Sequence, residues 1–427
     1  MSNKKILILT EAMMPFCSDW GSCQRVYFYS SKLISEGFDV HVICRNNSKN
    51  PAGTMEIKGI KVTSPEPAQR EGKSGFKQKI IHFCKNNKVI LFILKKIFRF
   101  IYSEPNIFRG KESKQWARNN EQFIKKYIYE ENIDCVIISG PPFGLFYLAP
   151  RIKELGVKII LDYRDPWNLW YEKYSVSEKY EKQAVEAADL IVASTNNLSQ
   201  ALKKKYKKEY VYPVLNGYDS FTWDNREKHT TQKNSKLVIS YVGYILVNRP
   251  PEFRDPTVFL DASCEFLENR KDVEMRFIGV GDDLSTIKDK YKRRIIFKNR
   301  VSVEEALQEV QNSDAVVVIH TADDSSGKYI VCGKLYDYLR SGKFILSVGN
   351  KAAGNNNLLD LYNCGVCCNN DRDSIRECLD LIYTKWKNDL LAVDVPKEID
   401  WYSRESQNTE FLRLINDLMM QGGKRNG

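Results

Sequence analysis

The stretch Cys332-Gly333-Lys334-Leu335-Tyr336-Asp337-Tyr338-Leu339-Arg340-Ser341-Gly342-Lys343-Phe344-Ile345-Leu346 decides how this chain is read. It predicts a short helix that starts after one glycine and stops at another. Leu335 and Leu339 are four apart, so they share one buried face. Gly342 suits the left-handed residue that closes a helix, and Phe344-Ile345-Leu346-Ser347-Val348 reads as a buried strand. In a parallel α/β sheet such a helix offers its first amides to an anion at the carboxyl edge. Lys334 falls in the first turn, where a cation opposes the helix dipole, so it suits an anionic ligand. Asp337 lies one turn on, placed to accept hydrogen bonds from a ribose.

Strands of the same apolar kind recur on both sides. Lys5-Ile6-Leu7-Ile8-Leu9-Thr10 reads as the first strand of a parallel sheet. A loop with Pro15, Asp19, Gly21 and Ser22 follows, then a helix from about Cys23 to Glu36 and a strand at Asp39–Cys44. This is a βαβ unit without G-x-G-x-x-G, so a dinucleotide fingerprint is not supported. Ile133–Ser139 and Val157–Asp162 are further strands. The second runs into Tyr163-Arg164-Asp165-Pro166-Trp167, where Pro166 forces a turn. Arg164 and Asp165 are thereby left at a strand's carboxyl end, where open sheets keep their sites. Leu190–Thr195 is another strand, followed by a basic helix around Leu202–Lys208. Residues 221–236 are polar and read as a linker. Beyond it, Leu237–Val242 ends in Gly243, and Glu274–Ile278 ends in a tight turn with Gly279 and Gly281 that suits close approach of a nucleotide base. Ala315–His320 precedes the organising helix.

A chain of 427 residues is too long for one ordinary core, and two domains are expected. Hydrophobic content of 43% with 28% charged residues describes an ordinary soluble protein. The opening apolar run Ile6–Leu9 is too short for a signal peptide, and no later stretch reads as a span, so a cytoplasmic protein is expected. Eleven cysteines without framework spacing fit a reducing compartment. The cluster Cys364-Gly365-Val366-Cys367-Cys368 reads as a short strand with cysteine as a small hydrophobe, and no metal site is expected. Ser325-Ser326-Gly327-Lys328 is not a P-loop, because Ala322 replaces the first glycine and Tyr329 the hydroxyl residue.

The net charge of +11 calls for an anionic partner. Residues 72–103 contain no acidic side chain, and Lys85, Lys88, Lys95, Lys96 and Arg99 share a narrow arc of a helical wheel beside a wide apolar face. That pattern over 76–101 predicts an interfacial helix on anionic lipid, on the inner face of the cell membrane. A solvated face on an ordinary packed helix is the plainer alternative. No RNA-binding pattern interleaves glycines and aromatics, so nucleic acid is not an expected partner.

Several of these motifs resemble one family in the same order. Gly-Lys-Leu-Tyr-Asp-Tyr-Leu-Arg-Ser-Gly-Lys is similar to the donor-site helix of retaining GT-B glycosyltransferases of family 4. Ser-Gly-Pro-Pro and Asp-Tyr-Arg-Asp-Pro-Trp resemble the subgroup with an Arg-Asp-Pro-Trp segment, whose members act on bacterial surface polysaccharides. The resemblance implies an α/β chain of two doubly wound Rossmann-like domains with a cleft between them. Residues 1–220 would form the acceptor domain, 237–400 the nucleotide-sugar domain, and 401–427 a segment returning to the first. It implies Gly243, Arg249, Gly279, Gly281, Gly333, Lys334, Leu335 and Asp337 as donor-binding residues, with Arg249 on the diphosphate. Gly21 and Ser22 would line the acceptor-side loop, where a Gly-Gly pair is usual. Asp165 and Arg164 would be catalytic, orienting the acceptor hydroxyl or stabilising charge on the sugar. Many members carry a glutamate eight residues before the acidic ribose residue, and this chain has Tyr329 there. The implied reaction moves a sugar from a nucleotide-sugar donor to a saccharide or lipid-linked acceptor, with no cofactor and no catalytic metal. A sugar-nucleotide epimerase of related fold and a non-catalytic sugar or nucleotide-binding protein are the alternatives.

Overall fold

Short runs of Val, Ile and Leu, each bounded by a polar or glycine turn, form two largely parallel sheets in the computed structural model of the protein. The structure describes residues 4–66, 110–170, 175–224, 234–245, 255–281, 284–320, 325–350 and 353–420. The basic segment 72–103 and Arg249 lie outside the described residues.

The first sheet contains β1 (Lys5–Thr10), β2 (Asp39–Cys44), β3 (Gly53–Ile57), β4 (Ile60–Ser64), β5 (Cys135–Gly140), β6 (Lys158–Tyr163), β7 (Leu190–Ala193) and β8 (Val211–Pro213). Its order is β3-β4-β2-β1-β5-β6-β7-β8. β1 runs parallel to both β2 and β5, and β5 parallel to β6. Central strands buried on both faces need continuous apolar sequence, and Ile6–Leu9, Val136–Ile138 and Ile159–Leu161 are all fully buried. The antiparallel β3–β4 pair is a hairpin absent from the sequence reading. Lys58 and Gly59, both with positive φ, make its two-residue turn.

The second sheet contains β9 (Leu237–Val242), β10 (Val273–Ile278), β11 (Ile296–Lys298), β12 (Ala315–His320), β13 (Phe344–Gly349) and β14 (Gly365–Cys368). Its order is β11-β10-β9-β12-β13-β14, and every registered pair is parallel. The strand order reverses between β9 and β12, the switch point at which an open sheet leaves a crevice beyond its carboxyl edge. One face packs Leu237, Ile239, Phe259, Phe277, Leu346 and Ile375. The other packs Val316, Val318, Leu335, Leu339 and Ile345 under the organising helix.

Six helices matter below: α1 (Trp20–Ser35), α2 (Gly110–Glu130), α3 (Asn196–Tyr206), α4 (Ser220–Asp224), α5 (Lys334–Ser341) and α6 (Arg404–Met420). Contacts divide the chain into two compact units. One comprises Met1–Trp167, Tyr174–Val192 and Leu418–Gly427, and the other Asn168–Lys173 and Ala193–Asp417. Helix α4 falls at the start of the stretch read as an irregular linker. Its Trp223 is buried, so a tertiary contact orders five residues whose own sequence is unremarkable. Among the described residues no helix is long and apolar enough to cross a membrane.

Candidate functional site

In the second unit, α5 is fixed to the end of β9. Leu335 and Leu339 are buried on one face as their spacing requires, and Gly342 closes the helix in the left-handed region at φ 67°. The Tyr338 hydroxyl accepts from the Val242 amide at 3.2 Å, and burial raises the pKa of that phenol well above its usual range. This anchor sets the first turn of α5 beside Gly243. Gly243 has φ 135°, a conformation open to glycine, and a Cβ there would sit 2.6 Å from Lys334 Nζ. Glycine therefore lets the ammonium lie against the strand-end backbone. Lys334 Nζ also rests 3.9 Å from the centroid of the Tyr241 ring. No carboxylate among the described residues pairs with it. Gly333 at the helix start is exposed, and no side chain caps the helix there. Lys334 is thus a half-buried cation beside a helix N-terminus that no side chain caps.

Gly279 and Gly281 lie at the end of β10 with φ 76° and 148°. The Gly279 and Val280 amides both donate to the Lys298 carbonyl, which holds the turn tight. A protein ring packs against Gly281. A Cβ at that position would meet Tyr244 Cε2 at 3.4 Å.

Asp337 is half-buried, and its Oδ1 accepts from Trp223 Nε1 at 2.9 Å. Arg404 is buried enough that its pKa is lowered, an effect opposed by the charges of Asp337, Asp219 and Glu405. The carboxylate expected to hold a ribose is thus also tied to α4 and to the first residue of α6. Tyr329 ends a short 3-10 turn, Ser325–Tyr329, with Lys328 Nζ 4.9 Å from its ring centroid.

In the first unit, the carboxyl ends of β1, β5 and β6 bring together residues that are far apart in sequence. Arg164 Nη1 donates to the Ser22 carbonyl at 2.9 Å, and Nη2 donates to the Pro141 carbonyl. Arg164 therefore clamps the first turn of α1, where Gly21 and Ser22 sit, to the turn after β5. Burial lowers its pKa, against the opposing charges of Asp162 and Asp165. The Ser22 hydroxyl donates to the Asp19 carboxylate. Asp165 follows on the half-buried turn, and its carbonyl accepts from the Trp167 amide at 3.1 Å.

Beneath this turn lies a pair that the sequence reading missed. Asp162 is fully buried in β6 and accepts from Arg25 Nε at 3.0 and 3.2 Å and from the Ser139 hydroxyl at 2.8 Å. Arg25 Nη2 lies 3.0 Å from the same carboxylate, with its side chain 8% exposed. The available signal was a single acid in the apolar run Ile159-Ile160-Leu161-Asp162-Tyr163. A buried charge needs a partner, and that requirement should have prompted a search for one. Glu11, just after β1, pairs with Arg45 at 2.9 Å, and its Oε2 is buried without a partner.

Among the described residues no group of three His, Cys, Asp or Glu side chains could hold a metal ion. Cys364 and Cys368 are buried and Cys367 half-buried, with Gly365–Cys368 forming β14.

No family model matches the sequence, and no curated protein does. Solved structures do. The α,α-trehalose 6-phosphate synthase of Burkholderia multivorans matches over 100% of this chain and 99% of its own, with TM-score 0.63 and 12% identity. A trehalose-6-phosphate structure from E. coli bound with UDP-2-fluoro glucose covers 97% of this chain and 99% of its own, with TM-score 0.59 and 11% identity. A UDP-N-acetylglucosamine 2-epimerase covers 100% and 98%, with TM-score 0.53 and 12% identity. The two sheets and these matches define a GT-B, Rossmann-like α/β fold across nearly the whole chain. The neighbours are nucleotide-sugar enzymes, transferases and an epimerase, and identities this low carry the fold alone.

Proposed function

We propose that the protein is a glycosyltransferase of the family 4 kind that its motifs resemble. It moves a sugar from a nucleotide-sugar donor to a saccharide or lipid-linked acceptor, with retention, in bacterial polysaccharide or glycoconjugate synthesis. The observation that carries this reading is Lys334, a half-buried ammonium held against Gly243 with no carboxylate partner among the described residues. In the reaction the bond from the anomeric carbon to the diphosphate oxygen breaks, and the diphosphate leaves with the electron pair. The acceptor oxygen bonds to that carbon and gives its proton to an oxygen of the departing diphosphate. The charge growing on the diphosphate has to be met by groups already in place. Lys334, the amides that begin α5 and Arg249 are assigned that work, without a metal. Asp165 orients the acceptor hydroxyl. Arg164, which holds two backbone carbonyls, acts as a positioning residue for that turn.

Release of nucleoside diphosphate from a nucleotide sugar only when an acceptor is added tests the transfer, and the anomeric configuration of the product tests retention. Asp165→Asn keeps the shape and removes the charge, so turnover falls strongly while donor affinity stays nearly intact. Survival of turnover in that variant assigns the pair a structural role. The epimerase neighbour supports a second reading, in which the nucleotide sugar is converted to its epimer with no acceptor. Epimer appearing in acceptor-free reactions would favour it.

A further inference from the structure

We infer that Tyr244 is the platform on which the nucleobase of the donor stacks, while Lys334 beside the adjacent Gly243 answers the diphosphate. This rests on the donor reading above and adds a residue that no motif singled out. Tyr244 lies two residues beyond the end of β9, at the carboxyl edge of the second sheet, and it is 49% exposed. Exposure alone is ordinary, since Tyr129, Phe221 and Trp401 are more exposed, but this ring stands next to Gly243, against which Lys334 is held.

Its position is fixed from two directions. The Tyr241 hydroxyl donates to the Tyr244 carbonyl at 2.9 Å, which pins the backbone. Gly281, at φ 148°, brings the turn after β10 against the ring, with an added Cβ falling 3.4 Å from Cε2. A ring supported in this way loses little freedom when a ligand stacks on it. Lys334 Nζ would lie 2.6 Å from a Cβ on Gly243. Gly243 directly precedes Tyr244, so the ammonium lies against the residue next to the flat ring. A flat apolar surface beside a point cation is chemically matched to a nucleoside diphosphate. Every base has a π-face, so stacking accepts any of them, and the cation answers the phosphates.

The test uses calorimetry with four probes on the full chain: UDP, GDP, ADP and inorganic pyrophosphate, which has no base. Tyr244→Ala is expected to weaken the best-binding nucleotide about 5- to 100-fold while leaving pyrophosphate unchanged. Tyr244→Phe keeps the ring and is expected to bind like the parent. Lys334→Gln is expected to weaken nucleotide and pyrophosphate together. Nucleotide binding that is equal in parent and Tyr244→Ala overturns the stacking role and leaves the donor reading standing. Equal losses for nucleotide and pyrophosphate in Tyr244→Ala also overturn it, because the ring would then act through the loop or the fold. No binding of any nucleotide to the parent overturns the donor reading itself.

Discussion

Asp162 and Arg25 allow a prediction whose size follows from their burial. The carboxylate is fully buried, and the guanidinium beside it is 8% exposed. Asp162→Asn removes the charge and presents an amide to a cation that has nowhere to be hydrated. Breaking a buried pair from one side costs about 3–5 kcal/mol, because the remaining charge is left uncompensated. Arg25→Met removes the paired cation with similar length and leaves the carboxylate with the Ser139 hydroxyl at 2.8 Å and the more distant Arg164 charge, so this single variant should lose the less of the two. Each single variant should therefore lose about 3–5 kcal/mol, a large share of the 5–15 kcal/mol typical of a domain. The double variant leaves neither charge behind, so its loss should fall short of the sum of the singles by at least ~2 kcal/mol. Two-unit proteins unfold in more than one step, so the assay is native-state hydrogen exchange at amides of β5 and β6. Additive effects, or single losses below ~1 kcal/mol, would refute the account of this pair as an ion pair cut off from solvent.

Three further outcomes are expected. His41 is buried between Thr63, 2.8 Å from Nε2, and the Tyr127 hydroxyl of α2, and its pKa is lowered from 6.5 to about 4, mainly by burial and then by the Lys61 charge. The unfolded chain binds this proton first, so stability is full above pH 6.5 and falls as pH drops towards 4, by about 3 kcal/mol. Opening free energies from native-state hydrogen exchange at β2 amides, corrected for intrinsic exchange at pH 7, 5.5 and 4.5, should show a slope that His41→Gln flattens. Asp337→Ala should weaken nucleoside diphosphate binding by about 1.5–3 kcal/mol in calorimetry if the carboxylate takes ribose hydroxyls. Unchanged affinity would leave Asp337 only as the partner of Trp223 and Arg404. Replacing Lys85, Lys88, Lys95, Lys96 and Arg99 with Gln should release the protein from anionic vesicles, since each cation near such a surface contributes about 1 kcal/mol. Equal co-sedimentation of variant and parent would remove the membrane as partner of that segment.

Much of the regular structure was legible from local sequence, although the β3–β4 hairpin, itself a local element, was not read. β12 occupies Ala315–His320 as read, and α5 with Gly342 follows the pattern of Leu335, Leu339 and the glycine stop. Helix α1 begins at Trp20 and not near Cys23, because Asp19 takes the flanking position and the turn tightens from there. Features made by distant pairing were not legible. Arg25 and Asp162 are separated by 137 positions, and nothing local marks them as partners. Helix α4 exists because Trp223 reaches Asp337, 114 positions away. Tyr244 was passed over because its significance comes from Gly281 and Lys334, each delivered by a different turn of the second sheet. Gly243, Lys334 and Asp337 were singled out because the helix that carries two of them has a compact signature.

The most direct test of the central claim is a thermal-shift panel of UDP-, GDP- and ADP-sugars against the parent and Lys334→Gln. A ligand present at 100 times its Kd stabilises the native state by about 2.7 kcal/mol, enough for a shift of several degrees. The account predicts that at least one nucleotide sugar raises the parent's Tm and that Lys334→Gln loses most of that shift. A parent unmoved by every compound at millimolar concentration, or a variant stabilised as strongly as the parent, would contradict it.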